Sequence, residues 1–382
     1  MSQRLYLDVS VIQTVPPSNL NRDDSGSPKH ATFGGVQRAR VSSQAWKRAT
    51  RLHYAEATPE ADRATRTKKM LELLTQRITA RTGLHAEAGQ RLAAALLEPL
   101  GIKKSLKKEE QSAYLLFFGK PQLDKIVDLV EERAGELAEL DAKKLSAELK
   151  DLDVAGVLTT GHPAEVALFG RMVADIPRLN VDAATQVAHA LSTHPVKTEF
   201  DYYTAVDDEN PDGETGAGMI GNVEFNAATL YRYATVGIHQ LRDNLSDDTE
   251  TALTARRFVE SFALSMPTGH QNSFAHRTVP QLVLLALRTD QPVNLVSAFE
   301  KPVSGRTSGI AEQSVGKLAE EFTVMSDTWD LKPTLTLATY SQFENIADKT
   351  QEAFGASLPL PELLERAHTA VAEWLNSRGD QR

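Results

Sequence analysis

Leu5, Leu7, Val9 and Val11 alternate with Tyr6, Asp8 and Ser10, the period of two that puts every second side chain on one face of a strand. The chain is expected to enter a sheet at this point, with one face of the strand buried. A polar connection containing Pro and Gly runs from Pro16 to Gly35, too long for a hairpin turn and rich in side chains able to bond phosphate or backbone. From Ser43 the pattern becomes helical. Ser43 is the N-cap candidate, Ala45, Ala49 and Leu52 are spaced for one face, and Gln44, Lys47, Arg48 and Arg51 share the other.

Between about Thr58 and Pro195 the pattern is almost wholly helical, rich in Ala, Leu, Glu and Lys, with breaks near Gly83, Gly101, Gly119, Gly156 and Gly161. This predicts an inserted helical subdomain. The stretch from Phe200 to Asn222 is rich in Asp, Asn and Gly with aromatics at its start, which suits an extended, projecting hairpin. Strand patterning returns at Leu230 to Ile238. A helix over Asp248 to Leu264, strands at Gln281 to Arg288, Val293 to Glu300 and Thr334 to Tyr340, and a helix from Pro361 to Leu375 complete the order. The sum is an α+β chain with a β-α-β-β-α-β core carrying two insertions.

Composition narrows the function classes. The 382 residues are 41% hydrophobic, enough for one large core with sizeable insertions. There is no cysteine, so disulfides, thiolate metal sites and cysteine nucleophiles are excluded together, and a cytoplasmic setting is expected. No run of about eighteen apolar residues occurs, so neither export nor a membrane span is expected. The net charge of −9 argues against a surface that is basic throughout, but says nothing about one face.

One segment departs sharply from that acidic total. Ser25 to Ala55 holds Lys29, Arg38, Arg40, Lys47, Arg48 and Arg51 with no Asp or Glu. Arg and Lys neutralise backbone phosphates, while Ser42, Ser43 and Gln44 at a helix start add further donors. A solvated basic helix face is the plainer reading of the same charges. A second polar cluster, Gly269 to Arg277, includes His270, Gln271, Asn272 and His276. Its donors suit RNA phosphates and 2′-hydroxyls, a structural polar loop is the competing reading, and its two histidines lack carboxylates at metal-ligand spacing. Lys103, Lys104, Lys107, Lys108, Lys143 and Lys144 offer a further basic surface in the helical insertion. The nucleophile elbow, the Walker loop and the dinucleotide fingerprint are all missing. Asp23 and Asp24 are the best acids for catalysis, but beside Asn21 and Arg22 they equally suit the fixing of a loop.

The run Leu20-Asn21-Arg22-Asp23-Asp24, then Phe33-Gly34-Gly35-Val36-Gln37-Arg38-Ala39-Arg40-Val41-Ser42-Ser43-Gln44 and Lys47-Arg48-Ala49, closely resembles the CasC family. So do Asn226, Tyr231-Arg232-Tyr233 and Pro267 to Ala275. These are the backbone subunits of the type I-E CRISPR Cascade surveillance complex, within the RAMP superfamily. The resemblance implies a hand-shaped subunit: a palm of modified RNA-recognition-motif (ferredoxin-like) fold over residues 1–57 and 225–382, helical fingers over 58–195, and a thumb hairpin over 196–224.

What the resemblance implies for function is a non-catalytic subunit without cofactor or metal. It stacks with copies of itself along CRISPR guide RNA, beside other Cascade subunits, and leaves cleavage to a recruited helicase-nuclease. The guide's bases are presented to target DNA, so sequence reading falls to base pairing. Carried over by position, Arg22, Lys29, Arg38, Arg40, Ser42, Gln44, Lys47 and Arg51 resemble the grip on the RNA backbone, with Asn21, Arg48, His270, Gln271 and Asn272 beside them. Met172 and Phe200 resemble the side chains that pack against displaced nucleotides. The six insertion lysines are the candidates for target DNA. The central strand lacks the aromatic consensus of an ordinary RNA-recognition motif, so binding should lean on phosphates. Two other functions stay open: a metal-dependent ribonuclease using Asp23 or Asp24, and a scaffold whose basic helix binds an acidic protein.

Overall fold

The computed structural model describes residues 4–102, 112, 115–206, 217–306 and 308–379. In chain order the strands are β1 (Tyr6–Ser18), β2 (His30–Phe33), β3 (Val36–Val41), β4 (Ala64–Thr67), β5 (Leu116–Gly119), β6 (Thr185–Val187), β7 (Ala190–Ser192), β8 (Glu199–Val206), β9 (Ala217–Gly237), β10 (Leu282–Arg288) and β11 (Leu335–Tyr340). The main sheet runs β11-β10-β1-β9-β7-β3-β2, with β6 and β8 also paired to β9. The chain divides into two compact units. The first holds residues 1–53, 186–236 and 255–382, and the second 54–185 and 237–254. The fold is α+β, as the patterning implied.

In the first unit β1 is central, and here the structure corrects the one-faced expectation. The even face of β1 is buried as well: Asp8 and Ser10 are each 3% exposed. On that face Ile12, Tyr231, Tyr233, Leu282, Leu284 and Ala286 pack with Val315, Leu318 and Phe322 of the Ile310–Thr328 helix. The odd face carries Gln13 and Arg232. The Arg232 guanidinium lies 3.7 Å from the centre of the Trp46 ring and 4.6 Å from that of Phe262. It donates to the Gln13 side chain and to the Phe262 carbonyl, and burial pulls its pKa down to about 9. With both faces covered, β10 reads Leu-Val-Leu-Leu-Ala-Leu-Arg, a continuous buried run.

The buried polar atoms of β1 find partners on three neighbouring segments. Asp8 accepts from the Tyr233 hydroxyl on β9 at 2.9 Å, from Arg288 Nε on β10 at 3.1 Å and from the Val293 N–H at 2.9 Å. Burial raises the pKa of this carboxyl, and those three groups oppose it. Ser10 bonds the Tyr231 hydroxyl at 3.2 Å. The network is therefore what permits polar residues in a doubly covered strand.

Three further elements differ from the sequence reading. Val293 to Glu300 is no strand: Leu295–Phe299 is a 3-10 turn capped by Asn294, whose side chain accepts the Val296 N–H. It leads into the Ile310–Thr328 helix, which the patterning had not separated from its surroundings. The Pro16–Gly35 connection contains half a hairpin, since His30–Phe33 pairs antiparallel with Val36–Val41. Its turn is Gly34-Gly35 with φ of 60° and 75°, the left-handed pair that a two-residue hairpin requires. A Cβ on Gly34 would also fall 1.7 Å from the Glu300 carbonyl oxygen.

The second unit is mainly helical, built on Met70–Thr82, Ala86–Leu97 and Lys120–Asp128, with Leu74, Ile78, Leu92, Leu96, Leu123 and Ile126 in its core. It is not helical throughout, because β4 and β5 form a two-stranded antiparallel sheet. Leu116-Phe117-Phe118-Gly119 is fully buried, and a short apolar run of that kind carries no period to tell strand from helix. Among the described residues no helix is long and apolar enough to cross a membrane.

Asp8→Ala leaves the Arg288 guanidinium buried with no carboxylate, and is expected to lower unfolding free energy by about 3–5 kcal/mol. Urea denaturation should show a lower midpoint at unchanged slope. A loss below about 1 kcal/mol would show that the carboxylate is not what holds the three strands.

Candidate nucleic-acid interface

The acid-free segment occupies β2, β3 and the Ser43–Glu56 helix at one end of the main sheet. The helix begins one residue earlier than expected, since Ser42 is the cap. Its hydroxyl accepts the Ala45 N–H at 3.3 Å, and its own N–H donates to Asn21 Oδ1 at 2.9 Å. The buried stripe is Trp46, Thr50 and Tyr54, spaced by four, while Leu52 is exposed. The expected stripe of Ala45, Ala49 and Leu52 is thus displaced, because the Trp46 ring is claimed by Arg232. Gln44 and Arg48 face solvent, and Lys47 and Arg51 are half-buried along the edge.

Arg38 is corrected from a phosphate contact to an internal clamp. It is fully buried, and its guanidinium donates to the carbonyls of Phe33 at 3.1 Å, Ser192 at 2.9 Å, Phe299 at 2.8 Å and Glu300 at 3.3 Å. A fork of five donors saturating four carbonyls from three chain segments has little left for a ligand. Arg40, two residues on along β3, is half-exposed. Its Nε donates to the His30 carbonyl at 3.2 Å and its Nη1 to His189 Nδ1 at 3.2 Å. Burial, then the charges of Arg40 and Lys29, lower the His189 pKa. The ring therefore stays a neutral acceptor beside two cations. Nothing in the spacing of the sequence announces His189, which reaches the cluster only because β7 pairs with β3.

The second polar cluster comes to the same region. Arg22 Nη1 donates to His270 Nε2 at 3.0 Å. Gly269 packs so closely against the loop after β1 that a Cβ would lie 2.6 Å from the Asn19 and Leu20 carbonyl oxygens. The single helical turn Gln271–Phe274 is flanked by His270 and Ala275, both left-handed at φ of 51° and 44°. Non-glycine residues held there cost about 1–3 kcal/mol each. Gln271 and Asn272 are exposed on this turn. His276 faces inward, its Nε2 bonded to the Pro267 carbonyl at 3.0 Å, so the two histidines do not converge. Among the described residues no three His, Asp or Glu side chains gather as metal ligands.

Asp23 shapes its own loop, its Oδ1 accepting from the Ser25 N–H at 2.9 Å, the Ser25 hydroxyl at 2.7 Å and the Ser27 N–H at 3.0 Å. The Ser25 hydroxyl is the main reason its pKa is lowered. Asp24 is exposed. On the β8–β9 hairpin Phe200 pairs with Glu224 and Tyr202 with Asn222, so these four share one face. Phe200 is 69% and Tyr202 61% exposed. Phe225 at the hairpin base lies 5.8 Å, ring to ring, from Phe274.

A family model described as CT1975-like protein (Cas_CT1975) matches residues 7–366. The chain belongs to the CT1975-like family. Among solved structures, a chain of a "CRISPR RNA-guided surveillance complex, pre-nicking" is similar with a TM-score of 0.81 at 29% identity, covering 96% of this chain and 100% of that one. A chain of another CRISPR RNA-guided surveillance complex has a TM-score of 0.68 at 27% identity, covering 96% and 99%. No curated protein matches the sequence. The kinship with the Cascade backbone subunits that the Leu20 to Gln44 motif carries is borne out.

In the second unit of this CT1975-like protein, Met172 is 85% exposed between Arg171 and Val173, which are buried. The peptide of Arg171 exchanges both backbone bonds with Val181, at 2.9 and 2.8 Å. Its guanidinium donates to the Leu179, Leu158 and Phe117 carbonyls at 2.6, 2.7 and 3.3 Å, with its pKa pulled down to about 10 by burial. Met172 is thus an apolar side chain thrust outward from a fixed backbone. Lys143 and Lys144 are exposed at the start of the Ala142–Leu149 helix, and Lys144 pairs with Asp141 at 3.5 Å. Lys103, Lys104, Lys107 and Lys108 lie outside the described residues.

The two arginines of β3 should separate cleanly in a thermal melt. Arg38→Gln is expected to cost about 3 kcal/mol by stranding buried carbonyls, whereas Arg40→Gln should stay within about 1 kcal/mol of the parent. Equal effects would return Arg38 to the surface.

Proposed function

We propose that this chain is a non-catalytic subunit that assembles with copies of itself along CRISPR guide RNA. It holds the RNA backbone and leaves the bases free to pair with target DNA. The observation that carries the reading is an acid-free cationic run, the ridge: Lys29 and Arg40 beside His189, then Lys47 and Arg48 on the helix that follows, together with Arg22 bonded to His270, in a chain whose net charge is −9. A ridge without carboxylates suits a sequence-indifferent phosphate track. The similarity to chains of RNA-guided surveillance complexes supports guide RNA and other Cascade subunits as its partners.

On this reading the first unit is the palm, the helical unit the fingers, and the β8–β9 hairpin the thumb. Phe200 and Tyr202 on one thumb face, and Met172 on its fixed loop, are exposed apolar side chains suited to packing beside nucleotides turned out of the stack. Gln44, Arg51, Gln271 and Asn272 flank the ridge. Asn21 and Ser42 serve it by fixing the loop and the helix start. Lys143 and Lys144 remain the target-DNA candidates. A cysteine-free chain suits a cytoplasmic complex. The bonds that Asp23 makes within its loop weigh toward a shaping role and away from metal-assisted RNA cleavage.

Purification with its partner subunits and a CRISPR array, followed by sequencing of the bound nucleic acid, tests the proposal. Repeat-spacer RNA of uniform length is expected, and short heterogeneous fragments or none would overturn it. For the ridge, Lys29→Ala, Lys47→Glu and Arg48→Glu together should weaken RNA retention. They should also flatten the plot of log affinity against log salt by about 2 units, since each phosphate contact on a single strand contributes about 0.7. An unchanged slope would place the RNA elsewhere.

A further inference from the structure

At the edge of the main sheet opposite the basic segment, β11 has no strand on its outer side among the described residues. Ser357 and Leu358 close part of that side. The Leu358 N–H donates to the Ala338 carbonyl at 2.9 Å, and the Tyr340 N–H donates to the Ser357 hydroxyl at 2.9 Å. Among the described residues nothing bonds the backbone of Thr336 from there. An open stretch of backbone donors and acceptors on a sheet edge is a template for an added strand.

Trp329 stands shortly before that opening, at the C-terminus of the Ile310–Thr328 helix, and is 66% exposed, while Val324 on the same helix is 45% exposed. The backbone that carries the indole is pinned. Asp330 is left-handed at φ of 54°, the Leu331 N–H donates to the Met325 carbonyl at 3.2 Å, and the Leu331 carbonyl accepts from Arg288 Nη1 at 2.5 Å. An indole held out from a fixed backbone loses little freedom when it is covered, and Trp is enriched among the side chains that dominate protein interfaces.

The charges around it decide the kind of partner. From Leu318 to Leu331 the chain has Glu320, Glu321, Asp327 and Asp330 and no Lys or Arg. Lys349 pairs with Glu320 at 2.6 Å, and Lys332 reaches Asp327 at 3.9 Å, so acid stays in excess. The sheet is thus basic towards its β2–β3 edge and acidic towards its β11 edge. A polyanion drawn to the first is repelled from the second, whereas a cationic protein segment is attracted to it.

We infer that the outer side of β11, with Trp329 and Val324, is a docking surface for an extended, Lys- or Arg-bearing segment of a different protein subunit. The segment's backbone pairs at Thr336, an apolar side chain of it covers the Trp329 indole, and its cations lie against Glu321, Asp327 and Asp330. None of these residues belongs to the ridge, so the inference stands apart from the RNA-binding reading.

The test places the photo-reactive aromatic residue p-benzoylphenylalanine at position 329 of the full chain, co-expressed with its partner subunits and a CRISPR array, and identifies by mass spectrometry what the residue captures on irradiation. A Lys- or Arg-bearing segment of a different subunit is expected. Capture of a second copy of this chain, of RNA, or of nothing overturns the proposal. Trp329→Ala should weaken retention of the captured subunit about tenfold or more, and Trp329→Phe should recover part of it. Asp327→Asn with Asp330→Asn should weaken it about threefold, an effect that fades as salt rises; Asn tolerates the left-handed backbone at 330. These side chains are exposed, so each variant should melt with the parent and hold the same RNA. Undiminished retention in Trp329→Ala overturns the docking surface. Absence of RNA from the parent complex overturns the RNA-binding reading alone.

Discussion

Placing Asp8 on a strand covered on both faces obliges its neighbours to answer for it. A carboxylate there has no water, so its stability depends on donors delivered by protein. Those donors come from Tyr233 on β9, Arg288 on β10 and the Val293 backbone beyond β10. The register of β1 against both of its neighbours is thereby tied to one side chain. A slip by one residue would turn Asp8 onto the opposite face and strand all of these groups at once. The position of β9, and so of the β8–β9 hairpin, follows from that register.

A second habit of the molecule is the arginine that serves carbonyls instead of acids. Arg38 gathers the hairpin turn, β7 and the 3-10 turn after β10. Arg232 sits between Trp46 and Phe262. Arg171 closes the loop that exposes Met172. None of these three needs a buried carboxylate, so each avoids the mutual desolvation of an ion pair while using the directional fork of the guanidinium. Position is what they supply: Arg38 fixes the strand that carries Arg40, and Arg232 fixes Trp46 on the helix that carries Lys47 and Arg48.

Much of this was legible in the sequence, for physical reasons that differ by element. The Asp248–Leu264 helix and the apolar run of β10 announce themselves because local pattern and tertiary environment agree, whereas the periods of β1 and of the Ser43 helix place those elements but not the burial of Asp8 and Ser10 or of Trp46. The acid-free segment announces a charged face in the same way. Composition could not separate Arg38 from Arg40, since two residues of the same type on one strand differ only in which chain segments lie over them. Leu116 to Gly119 misleads for the opposite reason, being too short and too uniformly apolar to carry a period. The Val293 to Glu300 segment reads as a strand until Asn294 is seen to cap a turn. His189 joins the site only through the pairing of β7 with β3 across more than a hundred residues, which no local pattern encodes.

The contact of Gly269 with the Asn19 and Leu20 carbonyls bears on how this surface can change between related proteins. The two loops belong to distant parts of the chain, yet their backbones touch where no side chain fits, and Arg22 and His270 are joined just above that touch. They are therefore one heritable module in two pieces. Transplanting either loop alone from a relative would bring a backbone path shaped for an absent partner, so chimeras of this surface have to exchange both segments together.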